Sequence, residues 1–141
     1  MSTGPDQLEA GARLWLGTPF AEGAAVRGAG CDCVGLMEAL ARARGLVPPP
    51  RGTLSLEAGL AQVMAPRSGP PQPGDVLLLA REPGGAPVHA ALLTTAGTLI
   101  HAHWSQGVVE NRFGSWFQAR LVAVFAWPVP PDEEGKTPWQ P

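Results

Sequence analysis

Gly30-Cys31-Asp32-Cys33-Val34-Gly35-Leu36 marks the point where a loop becomes a helix. Asp32 is a favourable N-cap, since its carboxylate can take an unpaired N–H of the first turn. From Cys33 the spacing predicts a helix to about Arg44, with Gly45 as the stop. Cys33, Leu36, Met37 and Leu40 share one face, so Cys33 lies at the tip of a buried stripe, shielded yet open at one end. The thiolate is the reactive form of cysteine, and a helix N-terminus favours it through free N–H groups and the dipole. Cys33 is therefore a candidate nucleophile.

Upstream, Pro5 to Leu16 reads as a first helix, with Leu8, Ala12, Trp15 and Leu16 at helical spacing and Gly17 closing it. A Gly- and Ala-rich loop then runs to Cys31. Downstream, Pro48-Pro49-Pro50 is a stiff connector, and a weak helix is expected over 55–64. Pro70-Pro71-Gln72-Pro73-Gly74-Asp75 is a turn leading into Val76-Leu77-Leu78-Leu79, a continuous apolar run read as a buried strand. Asp75 is read as the turn residue that starts this strand. Further strands are expected over 88–94, 98–104, 107–110 and 121–127. Helices first and strands afterwards predict an α+β domain, with the nucleophile helix packed on an antiparallel sheet of about five strands. The domain is expected to span 1–127, and 128–141 to be a loose Pro-rich tail.

The totals narrow the function classes. A chain of 141 residues with 45% hydrophobic content suits one globular domain with a real core. Its 18 Gly and 16 Pro predict many turns and rigid loops. Net charge is −2 without a basic cluster, which argues against nucleic acid as a partner. No apolar run approaches the roughly 18 residues of a membrane span. Met1-Ser2-Thr3-Gly4-Pro5-Asp6 lacks the layout of a signal peptide, so the expectation is synthesis in the cytosol, with retention there or packaging into a particle. The two cysteines, one residue apart, would close only a strained loop, so this is not a disulfide scaffold.

Two histidines on expected strands give Cys33 possible partners: His89 in Pro87-Val88-His89-Ala90-Ala91 and His101 in Leu99-Ile100-His101-Ala102-His103. A hairpin turning at Thr95-Ala96-Gly97 pairs residues whose numbers sum to about 190. That register sets His89 opposite His101 to within a residue, and directly opposed side chains have Cβ atoms about 5 Å apart. His89 could then take the thiol proton while His101 holds its tautomer, with His103, two residues on, as a backup.

Other readings of these residues stay open. A cysteine at a helix start or a histidine in a strand can be plain packing. Cys31, Cys33, His101 and His103 also form a C-x-C and H-x-H set of the kind zinc takes, although one-residue spacing is tight and Asp32 as a cap would splay the thiols. Cys31 itself is read as packing. The tryptophans read mostly as core, with Trp104 the one placed to line a groove; Arg27 and Arg112 read as solvated surface.

Taken in order, these stretches resemble the NlpC-type papain-like cysteine peptidases of bacterial cell-wall peptides. Leu16-Gly17-Thr18-Pro19-Phe20 is similar to that family's opening Gly-Thr-Pro-Tyr, and Asp32-Cys33-Val34-Gly35-Leu36 to its Asp-Cys-Ser-Gly-Leu nucleophile motif. Gln72-Pro73-Gly74-Asp75-Val76 resembles its Pro-Gly-Asp turn. Val88-His89-Ala90-Ala91 stands where the family has His-Val-Gly, and Leu99-Ile100-His101-Ala102 where it has Ile-His-Ala. The likeness runs from about Asp6 to Trp127. Arg27 to Cys33, and His101 with Gly107-Val108-Val109-Glu110, resemble the subgroup found in phage tails and gene transfer agents.

The resemblance implies a papain-like fold with Cys33 as nucleophile, His89 as general base and then acid, and His101 as orienter. It further implies substrate contacts from Phe20, Asp32, Val88, His103 and Trp104, and hydrolysis of an amide in peptidoglycan stem peptides, often beside a γ-D-glutamyl residue. No metal or organic cofactor is implied; phage-tail proteins are the implied partners. The alternative is a weak or inactive tail-assembly or binding protein on the same fold. The chain departs from the family pattern at Phe20, which replaces tyrosine in a chain with no Tyr, at Val34 in place of Ser, and at Ala90-Ala91 in place of Val-Gly.

Overall fold

The computed structural model describes residues 4–52 and 54–128; all of the expected tail beyond Pro128 lies outside the described residues. Helix α1 (Pro5–Arg13) is followed by a short ribbon, β1 (Ala25–Val26) and β2 (Gly30–Cys31), then α2 (Cys33–Ala43) and α3 (Leu56–Ala61). The second half comprises β3 (Ala65–Pro66), β4 (Val76–Ala80), β5 (Pro87–Leu93), β6 (Thr98–His103), β7 (Gly107–Arg112), α4 (Ser115–Gln118) and β8 (Leu121–Ala126). Strands β3 to β8 form one antiparallel sheet in the order β3-β8-β4-β5-β6-β7. The α+β architecture is the expected one, with six strands instead of about five and with β1, β2, β3 and α4 as additions.

The apolar run of β4 is buried along its whole length because this strand is central and both faces of the sheet are covered. On one face Val76, Leu78, Ala90, Leu92 and Ile100 pack against Leu8 of α1 and against Leu36, Met37 and Leu40 of α2. On the other, Leu77, Leu79, Ala91, Leu93 and Leu99 pack under Phe113 and Phe117. Burying each such leucine contributes about 2 kcal/mol.

Local chemistry sets the ends of the helices. In α1, Pro5 occupies the first turn, where no N–H is needed, and Asp6 faces the positive end of the dipole. The helix stops at Arg13, short of the expected Leu16. Tight backbone bonds from Trp15 to Ala12 and from Leu16 to Arg13 turn the chain, and Gly17 N–H then joins Val108 of β7. Thr18 is buried, its carbonyl accepting from Val108 N–H and its Oγ1 from Gly28 N–H. The Gly17–Phe20 segment is thereby pinned between β7 and β2, with Phe20 bridged to Cys31.

At the start of α2, Asp32 Oδ1 accepts from Gly35 N–H at 2.7 Å, as the N-cap reading requires. Gly35 has no room for a side chain, because a Cβ there would run into the Ala24 carbonyl oxygen. Asp75 starts β4 as a turn residue, accepting from Gln72 N–H at 2.8 Å and from Arg67 at 2.6 and 3.0 Å.

The β5–β6 register departs from expectation. Leu92 pairs with Ile100 and Leu93 with Leu99, so the numbers sum to 192 instead of 190. Extended along the strands, this register sets Ala91, not His89, opposite His101. The turn itself requires this sum: Thr94 N–H closes on the Thr98 carbonyl, so the reversal is the three residues Thr95-Ala96-Gly97 as expected, and its bonded ends already add to 192. The two strands pair only beside this turn and part beyond it.

Candidate active site

The parting of β5 from β6 opens the sheet where α2 ends against it. Cys33, the first residue of α2, meets the β5 edge there, where the backbone N–H groups of Ala90 and Val34 act on its sulfur. Burial is the largest influence on this thiol and raises it above its ordinary value. The two N–H groups and the Arg51 charge oppose that rise, whereas the Asp32 carboxylate adds to it. Helix position alone suggested the thiolate; in the folded chain desolvation outweighs that effect, and the net direction is up.

His89 and His101 meet across the opening diagonally. His89 Nε2 and His101 Nδ1 are 2.7 Å apart, with ring centroids at 4.9 Å and planes at 74°. His101 is almost fully buried; its Nε2 lies 2.7 Å from Asn111 Oδ1, and Phe117 packs edge-on against its ring. Asn111 Oδ1 can only accept, so His101 carries its proton on Nε2 and presents a bare Nδ1. His89 then donates from Nε2 and keeps its lone pair on Nδ1, the state a general base needs. Burial, with the nearby His101 and His103, pushes His89 down to about 3. His101 is also lowered, by burial first, with the Asn111 hydrogen bond opposing.

These side chains face one cleft of about 990 Å³. Cys33, His89 and His101 line it, and so do Phe20, Val88, His103 and Trp104 of the expected substrate contacts. Asp32 does not. It is buried, and its carboxylate is occupied by Gly35 N–H and Gly23 N–H, both at 2.7 Å, and by Arg51 at 2.8 and 3.1 Å. Burial pushes this carboxyl up, but the Arg51 and backbone hydrogen bonds more than offset it, and the net direction is down. Asp32 is thus a structural anchor of the α2 N-terminus.

His103 takes no part in the His89–His101 hydrogen bond, although its ring lies edge-on to His101 with centroids 6.3 Å apart. Its Nδ1 lies 3.1 Å from both the N–H and the Oγ of Ser105, and its ring stacks on Trp104 with planes at 25°. Cys31 is fully buried beneath Phe20, and burial first, then the nearby Asp32 and Cys33, pushes its thiol up to about 11. Among the described residues no three His, Cys, Asp or Glu side chains converge to hold a metal ion, so the C-x-C and H-x-H set is not assembled. Nor is any helix among them long and apolar enough to cross a membrane.

Sequence reading missed Asn111, Arg81, Trp116 and Phe117, all of which line the cleft. Asn111 carried a usable signal: it lies near the end of β7, the strand after that of His101, and shares the odd-numbered face with it.

The NlpC/P60 family model matches residues 17–126. The chain belongs to the NlpC/P60 family. Solved structures agree on the fold. An NlpC/P60 family protein from Bacillus cereus superposes with a TM-score of 0.71 at 18% identity, covering 90% of this chain and 41% of its own. The NlpC/p60 domain of the peptidoglycan hydrolase SagA gives 0.61 at 23%, covering 88% of this chain and 99% of its own. NlpC2 from Trichomonas vaginalis gives 0.70 at 17%, covering 90% and 49%. The chain thus spans less than half the length of the Bacillus and Trichomonas proteins. A comparison with curated proteins finds no match.

Proposed function

We propose that this NlpC/P60 domain is a cysteine peptidase or amidase that hydrolyses an amide bond in the peptide stem of peptidoglycan. The observation that carries this reading is the His89–His101–Asn111 chain of hydrogen bonds, opening on the same cleft as Cys33 at the start of α2. Membership of the family and the likeness to the SagA hydrolase domain support the substrate class.

In this reading the Cys33 thiol gives its proton to His89 Nδ1 as sulfur attacks the scissile carbonyl carbon. The C=O pair moves to oxygen, and N–H groups at the start of α2 stabilise the charge. Collapse of the tetrahedral intermediate expels the amine, which takes the proton from His89, and leaves an acyl-Cys33 thioester. Water, deprotonated by His89, attacks the thioester and releases the acid and the free thiol. His101, held by Asn111, stabilises the imidazolium and keeps Nδ1 toward the reaction. With the Cys33 thiol raised and His89 lowered, proton transfer accompanies attack in this reading.

The finer readings are a bond next to a γ-D-glutamyl residue and delivery to the wall by a phage tail or gene-transfer particle. They rest on the likeness of 27–33 and 101–110 to that subgroup. Incubation with purified peptidoglycan and defined stem peptides, read by mass spectrometry, tests the whole. New amine ends beside γ-D-glutamyl residues, absent with Cys33→Ala, are expected. An intact substrate with Cys33 unreactive to iodoacetamide would instead favour a binding or assembly protein.

A further inference from the structure

One wall of the cleft is cationic and aromatic, and nothing in the hydrolytic chemistry uses it. Arg81 follows the end of β4, just beyond Leu79, which pairs with His89. It is exposed and lines the cleft; among the described residues its guanidinium makes no ion pair. No Asp or Glu lines this cleft, and Arg81 is the one Arg or Lys that does. Beside it stands Trp116, 58% exposed.

The wall is built, not incidental. Arg120 donates from Nε to the Arg81 carbonyl at 3.2 Å and from Nη1 to the Trp116 carbonyl at 2.9 Å, while its guanidinium lies 3.8 Å over the Trp116 ring. One side chain therefore ties the end of β4 to α4 and fixes both the Arg81 backbone and the indole. The Arg120 donors are directed at these carbonyls, whereas the Arg81 fork is open to a ligand. A planar, always charged fork at an otherwise uncharged cleft suits a carboxylate, which it can take bidentately. A peptide lying across Cys33 would meet it just past His89.

We infer that Arg81, backed by the Arg120–Trp116 brace, is a carboxylate-recognition site that selects acidic peptide substrates over their amidated forms. The inference rests on the peptidase reading and narrows its substrate. Several carboxyls of a stem peptide share this chemistry, so the test separates their sources.

Binding is measured by calorimetry on the Cys33→Ala protein, which cannot turn substrate over. The probes are L-Ala-γ-D-Glu-L-Lys, the same peptide amidated at the glutamyl α-carboxyl, and the same peptide amidated at its C-terminus. One of the two amidations should weaken binding about tenfold, the worth of one charge-assisted hydrogen bond in a half-exposed site. That difference should vanish on adding Arg81→Gln and largely persist with Arg81→Lys. Equal binding of all three peptides, no binding of any, or a difference that survives Arg81→Gln overturns the inference. If binding discriminates but the protein with Cys33 intact leaves the peptides and peptidoglycan whole, the peptidase reading fails while the carboxylate site stands.

Discussion

His89 Nε2 lies 2.7 Å from His101 Nδ1, so the two rings share one hydrogen bond, and its direction is set by a third residue. Asn111 Oδ1, also at 2.7 Å, holds the His101 proton on Nε2 and so leaves Nδ1 free to accept from His89. One amide oxygen on β7 thereby fixes two tautomers. Asn111→Leu removes the acceptor without adding charge. It should lower kcat on the order of 10²-fold with KM little changed, because orientation of the base matters most as charge develops. Asn111→Asp keeps an acceptor and should retain most activity. Equal losses in both variants would mean that the residue only packs.

The low basicity of His89 couples folding to pH. It titrates at about 3 in the folded chain against an ordinary value of 6.5. Above 6.5 the group is neutral in both states and contributes no pH dependence. As pH falls from 6.5 toward 3, the unfolded state takes up a proton that the folded state refuses, so stability drops by at most about 1.4 kcal/mol per pH unit. His89→Gln should flatten the acid side of the Tm-against-pH curve between 6 and 4. The same low basicity predicts kcat/KM without an acid-limb inflection near 6.5.

The two cysteines should separate in a residue-resolved alkylation titration. Cys33 opens on the cleft but is raised by burial, so its labelling should climb above the ordinary thiol range near 8.5. Cys31, fully buried and raised to about 11, should label more slowly at every pH. Cys33→Ala should abolish hydrolysis and leave Tm within a few degrees. Cys31→Ser should keep activity but lower stability by roughly 1–2 kcal/mol, since a hydroxyl enters an apolar site. An inactive, folded Cys31→Ser protein would contradict the choice of Cys33 as nucleophile.

Most of the framework was legible because it rests on strong local signals. The Asp32 cap, the Leu36–Leu40 stripe and the unbroken 76–79 run each have one good solution. The register of His89 and His101 followed from the Thr95-Ala96-Gly97 turn, whose flanks add to 192; what the sequence hid is that the strands part beyond Leu92 and Ile100, so that the two rings meet diagonally. The direction of the Cys33 shift was also hidden, since helix position is written in the sequence and desolvation by β5 is not. Asp32 looked free to touch substrate because nothing near it in the chain announces Arg51, 19 positions on. Arg81 and Arg120, brought together by the β4–β8 pairing, had no signature at all.

The Arg51–Asp32 pair bears on both stability and the Cys33 thiol. Arg51 spans Asp32 at 2.8 Å and Glu38 at 3.0 Å, tying the connector after Pro50 to the N-cap and second turn of α2. Its side chain is about a third exposed, so Arg51→Met should cost only about 1 kcal/mol after solvent screening. Asp32→Ala should cost more, roughly 2–3 kcal/mol, because it strips the cap from Gly35 and Gly23 N–H as well as the partner from Arg51. The electrostatic effects on Cys33 run in opposite directions. Removing the Arg51 charge should shift Cys33 alkylation to higher pH, and Asp32→Asn should shift it lower, because Arg51 favours the thiolate and Asp32 opposes it. Shifts of one sign in both variants would show that they act by moving the α2 N-terminus instead of by charge.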